Sequence, residues 1–211
     1  MKKVSFIIIL FVSSYCKAQD ALPEGYQIIA EKTGDLDRDG IKEKVIVYNT
    51  PDTTEDGIVR ELCIFKINNS QWKLWKKTKN AILKSQEGGM MGDPFEGIEI
   101  VDGVLIISVS GGSSWKWSHQ DKYRYQNNEF RLIGYTSHSG KICEYWEDVD
   151  FNLVTGKLIV KKEFEDCDKN QEIYKTENEV FYKKGIIISL ERRTTMEVKL
   201  VSPKYKHEFY L

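Results

Sequence analysis

The sequence predicts an all-β protein built as an antiparallel meander, of propeller-blade or sandwich type, with little or no helix. Three observations carry that expectation. Apolar and polar residues alternate with a period of two. The clearest case is 115–126, where Trp115, Trp117, Tyr123 and Tyr125 share one face and Lys116, Ser118, Gln120, Lys122 and Arg124 the other. Two-residue turn signals punctuate the runs, namely Asp102-Gly103, Asn127-Asn128 and Thr155-Gly156. Helical periodicity is open only as an alternative for residues 72–86.

The chain begins with the layout of a secretory leader over residues 1–18: Lys2 and Lys3, an apolar run over 6–12, then Ala18 before Gln19. The run is far short of the roughly 20 apolar residues a membrane span needs. The alternative, a lipoprotein signal ending at Cys16, puts Tyr15 where a small residue is wanted. Cleavage at Ala18-Gln19 would leave one all-β domain, 19–211, divisible into two packed sub-sheets near 87–97. Loss of Lys2, Lys3 and Lys17 moves the formal net charge from −1 to about −4. That charge argues against a nucleic-acid partner, and the expected location is the periplasm or the medium.

Taken in order, a first strand is expected at 26–30 and a second at 44–49, with 51–57 as a loop. Residues 60–67 and 72–77 then form a hairpin across Asn68-Asn69-Ser70, with 81–84 as a candidate short strand. Four glycines and a proline within 87–97 mark a surface loop. Residues 98–101 and 104–109 make the next hairpin. Strands 115–126 and 129–136 follow, in a register that sets Tyr125 opposite Phe130 and Tyr123 opposite Leu132. Thr155-Gly156 turns 143–153 into 157–165, pairing Leu153 with Leu158. Strands at 186–190, 196–201 and 207–211 close the chain, giving twelve to fourteen in all.

The most specific motif is Gly34-Asp35-Leu36-Asp37-Arg38-Asp39-Gly40-Ile41-Lys42-Glu43, running directly into Lys44-Val45-Ile46-Val47-Tyr48. Calcium takes six to eight oxygens, and carboxylates at alternate positions on a tight loop supply them. Asp35, Asp37 and Asp39 occupy positions one, three and five. Gly40 allows the turn, Ile41 offers its carbonyl at position seven, and Glu43 stands at nine. The EF-hand reading fails, because Ile46 holds the twelfth position and neither flank is helical. The loop resembles the D-x-D-x-D-G-x-x-[DE] calcium loop of FG-GAP and VCBS-type β-propeller blades, matching at Asp35, Asp37, Asp39, Ile41 and Glu43. The resemblance implies Ca²⁺ as the cofactor. Nearby Arg38, Lys42 and Lys44 place its affinity in the extracellular range of about 10⁻⁴–10⁻³ M. More loosely, the chain resembles a group of exported bacterial β-proteins without an assigned activity.

Other features suggest surfaces rather than catalysis. Met90, Met91, Asp93 and Phe95 in the glycine-rich loop, with Trp115 and Trp117, are candidates for contact with a protein or a glycan. Alternating tryptophans equally fill a sheet core. His119, His138 and His207 lack metal spacing, and neither a G-x-S-x-G nor a phosphate-loop pattern is present. An export route leaves three cysteines. Cys143 and Cys167 are the candidate disulfide, given a three-residue turn or a bulge, and Cys63 is the free thiol in an apolar strand. The functional expectation is a monomeric, calcium-stabilised binding or scaffold protein without catalytic activity. The alternatives are a glycan-acting hydrolase or an inhibitor-type protein using the 87–97 loop.

Overall fold

The computed structural model describes residues 23–169, 172–194 and 198–211. The leader at 1–18, Cys16 and the start of the strand expected at 196–201 lie outside them. Strands β1 (Gln27–Gly34), β2 (Glu43–Thr54), β3 (Gly57–Asn68) and β4 (Gln71–Thr78) form a four-stranded antiparallel meander. A second meander has seven strands, β5 (Phe95–Val101), β6 (Val104–Gly112), β7 (Lys116–Gln126), β8 (Glu129–Lys141), β9 (Tyr145–Asn152), β10 (Lys157–Asp166) and β11 (Glu172–Tyr182). A ribbon of β12 (Lys199–Val201) and β13 (Glu208–Tyr210) completes the described strands. Helical structure among the described residues is limited to three single 3₁₀ turns, at Gly89–Met91, Cys167–Lys169 and Leu190–Arg192. The chain is all-β, as its alternation predicts.

Both meanders connect neighbouring strands in chain order, because each connection is a hairpin too short to cross over. The turn residues explain the tightness: Asn69 and Ser70, Asp102 and Gly103, and Asn127 and Asn128 all take positive φ, the requirement of hairpin turns that match strand twist. The sheets bury their inner faces against each other. Val45, Val47, Leu62 and Ile64 from the first meet Ile98, Leu105, Ile107, Tyr123, Phe130 and Leu132 from the second. Beyond that contact the ribbon covers the rest of the larger sheet. Leu200, Phe209 and Leu211 pack on Tyr135, Val149, Phe151, Leu158 and Val160.

Several local expectations are corrected. Residues 51–57 are not a loop. β2 continues past Pro51 through an irregularity between Asn49 and Thr53, and Thr53 pairs Ile58. The bulge spares Pro51, which has no N–H, from a place in the ladder. Residues 81–84 are not a strand, nor is 72–86 a helix. Ala81 and Ile82 instead insert as buried side chains between the sheets. β11 has no clear sequence signal, because the polar run Lys175-Thr176-Glu177-Asn178-Glu179 interrupts its apolar residues and hides any period of two. Such charge is how sheet edges avoid pairing with other chains. Residues 186–190 contribute a single bridge, Ser189 to Arg131, rather than a strand.

The register over 123–130 is as the sequence predicts, with Tyr125 opposite Phe130 and Tyr123 opposite Leu132. The next hairpin differs: Phe151, not Leu153, faces Leu158. Asn152 closes that loop early, accepting the Thr155 N–H on its side chain at 2.9 Å and the Gly156 N–H on its carbonyl at 2.8 Å. A shift of two residues leaves every side chain on its expected face.

Candidate metal centre

The acidic loop joins β1 to β2, and its closing pair is Gly34 opposite Glu43. Leu36 holds it down, being almost wholly buried in the core between the sheets. Arg38 ties its outer side to the β5–β6 turn through the Asp102 carbonyl at 3.1 Å. Arg38 and Gly40 both take left-handed conformations. Gly40 has open space where a Cβ would stand, so its conformation, not crowding, calls for glycine there.

The alternation of carboxylates does what the sequence predicts geometrically. Asp35, Asp37 and Asp39 bring one oxygen each within 4.8 Å of one another. Asp35 accepts the Gly40 N–H at 3.0 Å and Asp39 the Ile41 N–H at 2.7 Å, bonds that curl the backbone around the cluster. Glu43 lies beneath, buried, accepting the Leu36 N–H at 2.7 Å. Burial pushes the Glu43 carboxyl above its ordinary range; the Leu36 bond opposes this, while the nearby charge of Asp37 adds to it. Ile41 is half-exposed on the outside of the turn.

Lys66 on β3 joins the cluster from 23 or more residues further along the chain, where no local pattern marks it. Its ammonium forms a short ion pair with Asp37 and lies 3.8 Å from Asp39 and 3.9 Å from Glu43, over the Trp75 ring at 4.1 Å. Burial would lower its pKa, but the hydrogen bond it donates to Asp37 and the charges of Asp37, Glu43 and Asp39 raise it overall. The lysine is therefore a built-in counter-ion. It does not satisfy the cluster. Asp35 Oδ1 and Asp37 Oδ1 are both buried and accept no hydrogen bond among the described residues. Buried acceptors without donors are rare and costly. A hard cation with oxygen preference fits these two atoms, so the donor set matches calcium chemistry.

The other predicted surface residues separate. Met90 and Met91 project from the single 3₁₀ turn of the glycine-rich loop, Met90 being 89% exposed. Asp93 is not free: Arg60, buried on β3, grips its carboxylate with two guanidinium nitrogens, and the Phe95 N–H donates to it at 2.9 Å. Phe95 turns inward against the core. Trp115 is exposed and leans on Tyr145 at 5.1 Å, whereas Trp117 is half-buried and stacks on His119 at 6.0 Å. The two tryptophans therefore do not form one platform.

Cys143 and Cys167 are joined as a disulfide with Cα atoms 4.9 Å apart. Neither lies in the ladder. Cys143 sits in the β8–β9 turn at φ 68°, and Cys167 opens the 3₁₀ turn after β10. Cys63 is free and buried, and burial together with the Glu61 charge pushes its thiol up to about 12. A thiol held so far from ionisation is inert as a nucleophile or metal ligand at neutral pH.

No protein-family model and no curated protein matches this chain. No helix among the described residues is long and apolar enough to cross a membrane.

Proposed function

We propose that this chain is an exported β-protein that works by binding, with its β1–β2 loop held by one calcium ion. The observation that carries the metal is the pair of buried, unpartnered oxygens on Asp35 and Asp37, inside a cluster whose spacing resembles the FG-GAP and VCBS calcium loop. Asp35, Asp37, Asp39 and Glu43 are the side chains that would hold the ion, with the Ile41 carbonyl. Calcium would take over the charge balance that Lys66 supplies. The ion's role is to fix the corner where β1, β2 and the β5–β6 turn meet. That is a structural role, and the leader-like segment at 1–18 supports a compartment where calcium is abundant.

Calorimetric titration of the chain with calcium chloride tests this. The expected dissociation constant is about 10⁻⁴–10⁻³ M. At about ten times that concentration the ion adds ~1.4 kcal/mol of stability, a rise in melting temperature of roughly 3–5 °C. Asp37→Ala should abolish the heat of binding. Lys66→Met should strengthen it, because no ammonium has to be displaced. Equal calcium uptake by the parent and Asp37→Ala would reject the site.

A further inference from the structure

The outer face of the seven-stranded sheet, opposite the core, has an organisation that the calcium loop does not explain. Solvated sheet faces usually carry long charged side chains. Here the ladder aligns mostly short polar ones, with one histidine and one glutamine, in two rows that cross the strands. Ser110, Ser118, His138 and Asp148 stand directly opposite one another on β6, β7, β8 and β9. Ser108, Gln120, Thr136 and Asp150 form the parallel row. Because hydroxyls are short, the rows leave an open trough of about 710 Å³ that extends over β10 at Ile159 and Lys161. That size lies within the range of ligand clefts. Five strands at about 4.8 Å spacing make it roughly 19 Å long, measured across the strands.

At His138 the trough borders a stacked aromatic pair. The His138 ring stacks on Trp146 with centroids 4.9 Å apart and planes inclined by only 5°. Trp146 lies against Gly140, where a Cβ would come within 2.2 Å of the Tyr145 carbonyl oxygen and 2.7 Å of the indole, so glycine there leaves room for both. Asp148 holds the His138 ring by its Nδ1 at 2.6 Å, turning the other nitrogen away from that carboxylate. The pair is half open to solvent. Gln120 reaches across to the Ser108 hydroxyl at 3.1 Å.

We propose that this trough binds a neutral oligosaccharide lying across β6 to β10. Sugar rings offer an apolar C–H face and a rim of hydroxyls. The indole–imidazole pair matches the first, since such rings are apolar bodies that stack readily. Carboxylates, an amide and serine hydroxyls at alternate positions match the second, charge-assisted hydrogen bonds to Asp148 and Asp150 being the stronger ones. The charge selects against anionic ligands. Glu96, Asp148 and Asp150 face a single lysine in the lining, Lys161, which is itself paired with Glu163 at 2.7 Å. Sulfated, phosphorylated and uronate chains are repelled.

The test is calorimetric titration of the full chain with cellohexaose, xylohexaose, mannohexaose and maltohexaose, with heparin and hexalysine as charged probes. At least one neutral hexaose is expected to bind and heparin is not. His138→Ala and Trp146→Ala should each weaken binding about tenfold, ~1.4 kcal/mol. Ser118→Tyr, which fills the trough from an outward position, should abolish it at an unchanged melting temperature. No heat from any neutral hexaose at millimolar concentration overturns the proposal. So does binding that survives both His138→Ala and Ser118→Tyr, or a preference for hexalysine. The trough uses no acidic-loop residue, so a titration in EDTA separates its failure from that of the calcium reading.

Discussion

At the scale of single residues, the interior is organised around charge as much as around apolar packing. Asp121 sits on the core-facing side of β7 among aromatic residues and is 4% exposed, and Arg193, 2% exposed, reaches it from beyond the last 3₁₀ turn. Arg193 donates to Asp121 through Nε at 2.6 Å and through a second nitrogen at 3.4 Å, and the Tyr123 hydroxyl donates to the same carboxylate at 2.9 Å. Removing the arginine leaves a carboxylate buried without a counter-charge. Arg193→Met should therefore cost about 3–5 kcal/mol in urea unfolding, and adding Asp121→Leu should recover most of it. A loss under about 1 kcal/mol for Arg193→Met would show that water reaches Asp121. The sequence displays Asp121 on the aromatic face but carries no sign of its partner, which lies 72 residues away. Trp146 was likewise legible only as one tryptophan of five, because its stacking partner His138 lies on another strand.

At the scale of elements, composition marks 87–97 as a loop; its last three residues instead open β5, and contacts fix the remainder in place. The Gly112 N–H donates to the Gly88 carbonyl at 2.8 Å and the Ser110 N–H to the Pro94 carbonyl at 2.9 Å. The Arg60 grip on Asp93 anchors its far end. That hydrogen bond, aided by the Phe95 N–H and opposed by partial burial, holds the Asp93 carboxyl below its ordinary value. A lowered folded-state value means stability that is fully present above the unfolded aspartate value of about 3.9 and is lost as pH falls through the folded one. Asp93→Asn should accordingly flatten the acid limb of thermal stability below about pH 4. At neutral pH it should cost about 1–2 kcal/mol, a modest figure because the carboxylate is half exposed. An acid limb unchanged by the substitution would show that Arg60 has no preference for the ionised form.

At the scale of the whole molecule, the larger sheet is wider than the smaller one can cover, and the C-terminal ribbon closes the remainder. Phe209 fills the centre of that second cluster. Phe209→Ala should lower stability by about 3–5 kcal/mol. Hydrogen exchange should quicken more in β9 and β10, beneath the ribbon, than in β2 and β3, which pack elsewhere. Equal quickening in both sheets would show the two clusters to be one cooperative unit.

The local pattern of the chain was enough for the all-β class, the order of most hairpins, the register of β7 on β8 and the position of the acidic loop. Each depends on residues a few positions apart: alternation sets which face is buried, and paired turn residues set where the chain reverses. Tertiary structure decided the rest. It drew Ala81 and Ile82 into the core instead of a strand, paired charged β11 at the sheet edge, and placed Lys66 among the aspartates. It joined Asp121 to Arg193 and aligned polar side chains from four strands into a trough. In each of these the partners are distant in the chain, and their energy appears only once the sheets bring them within bonding distance.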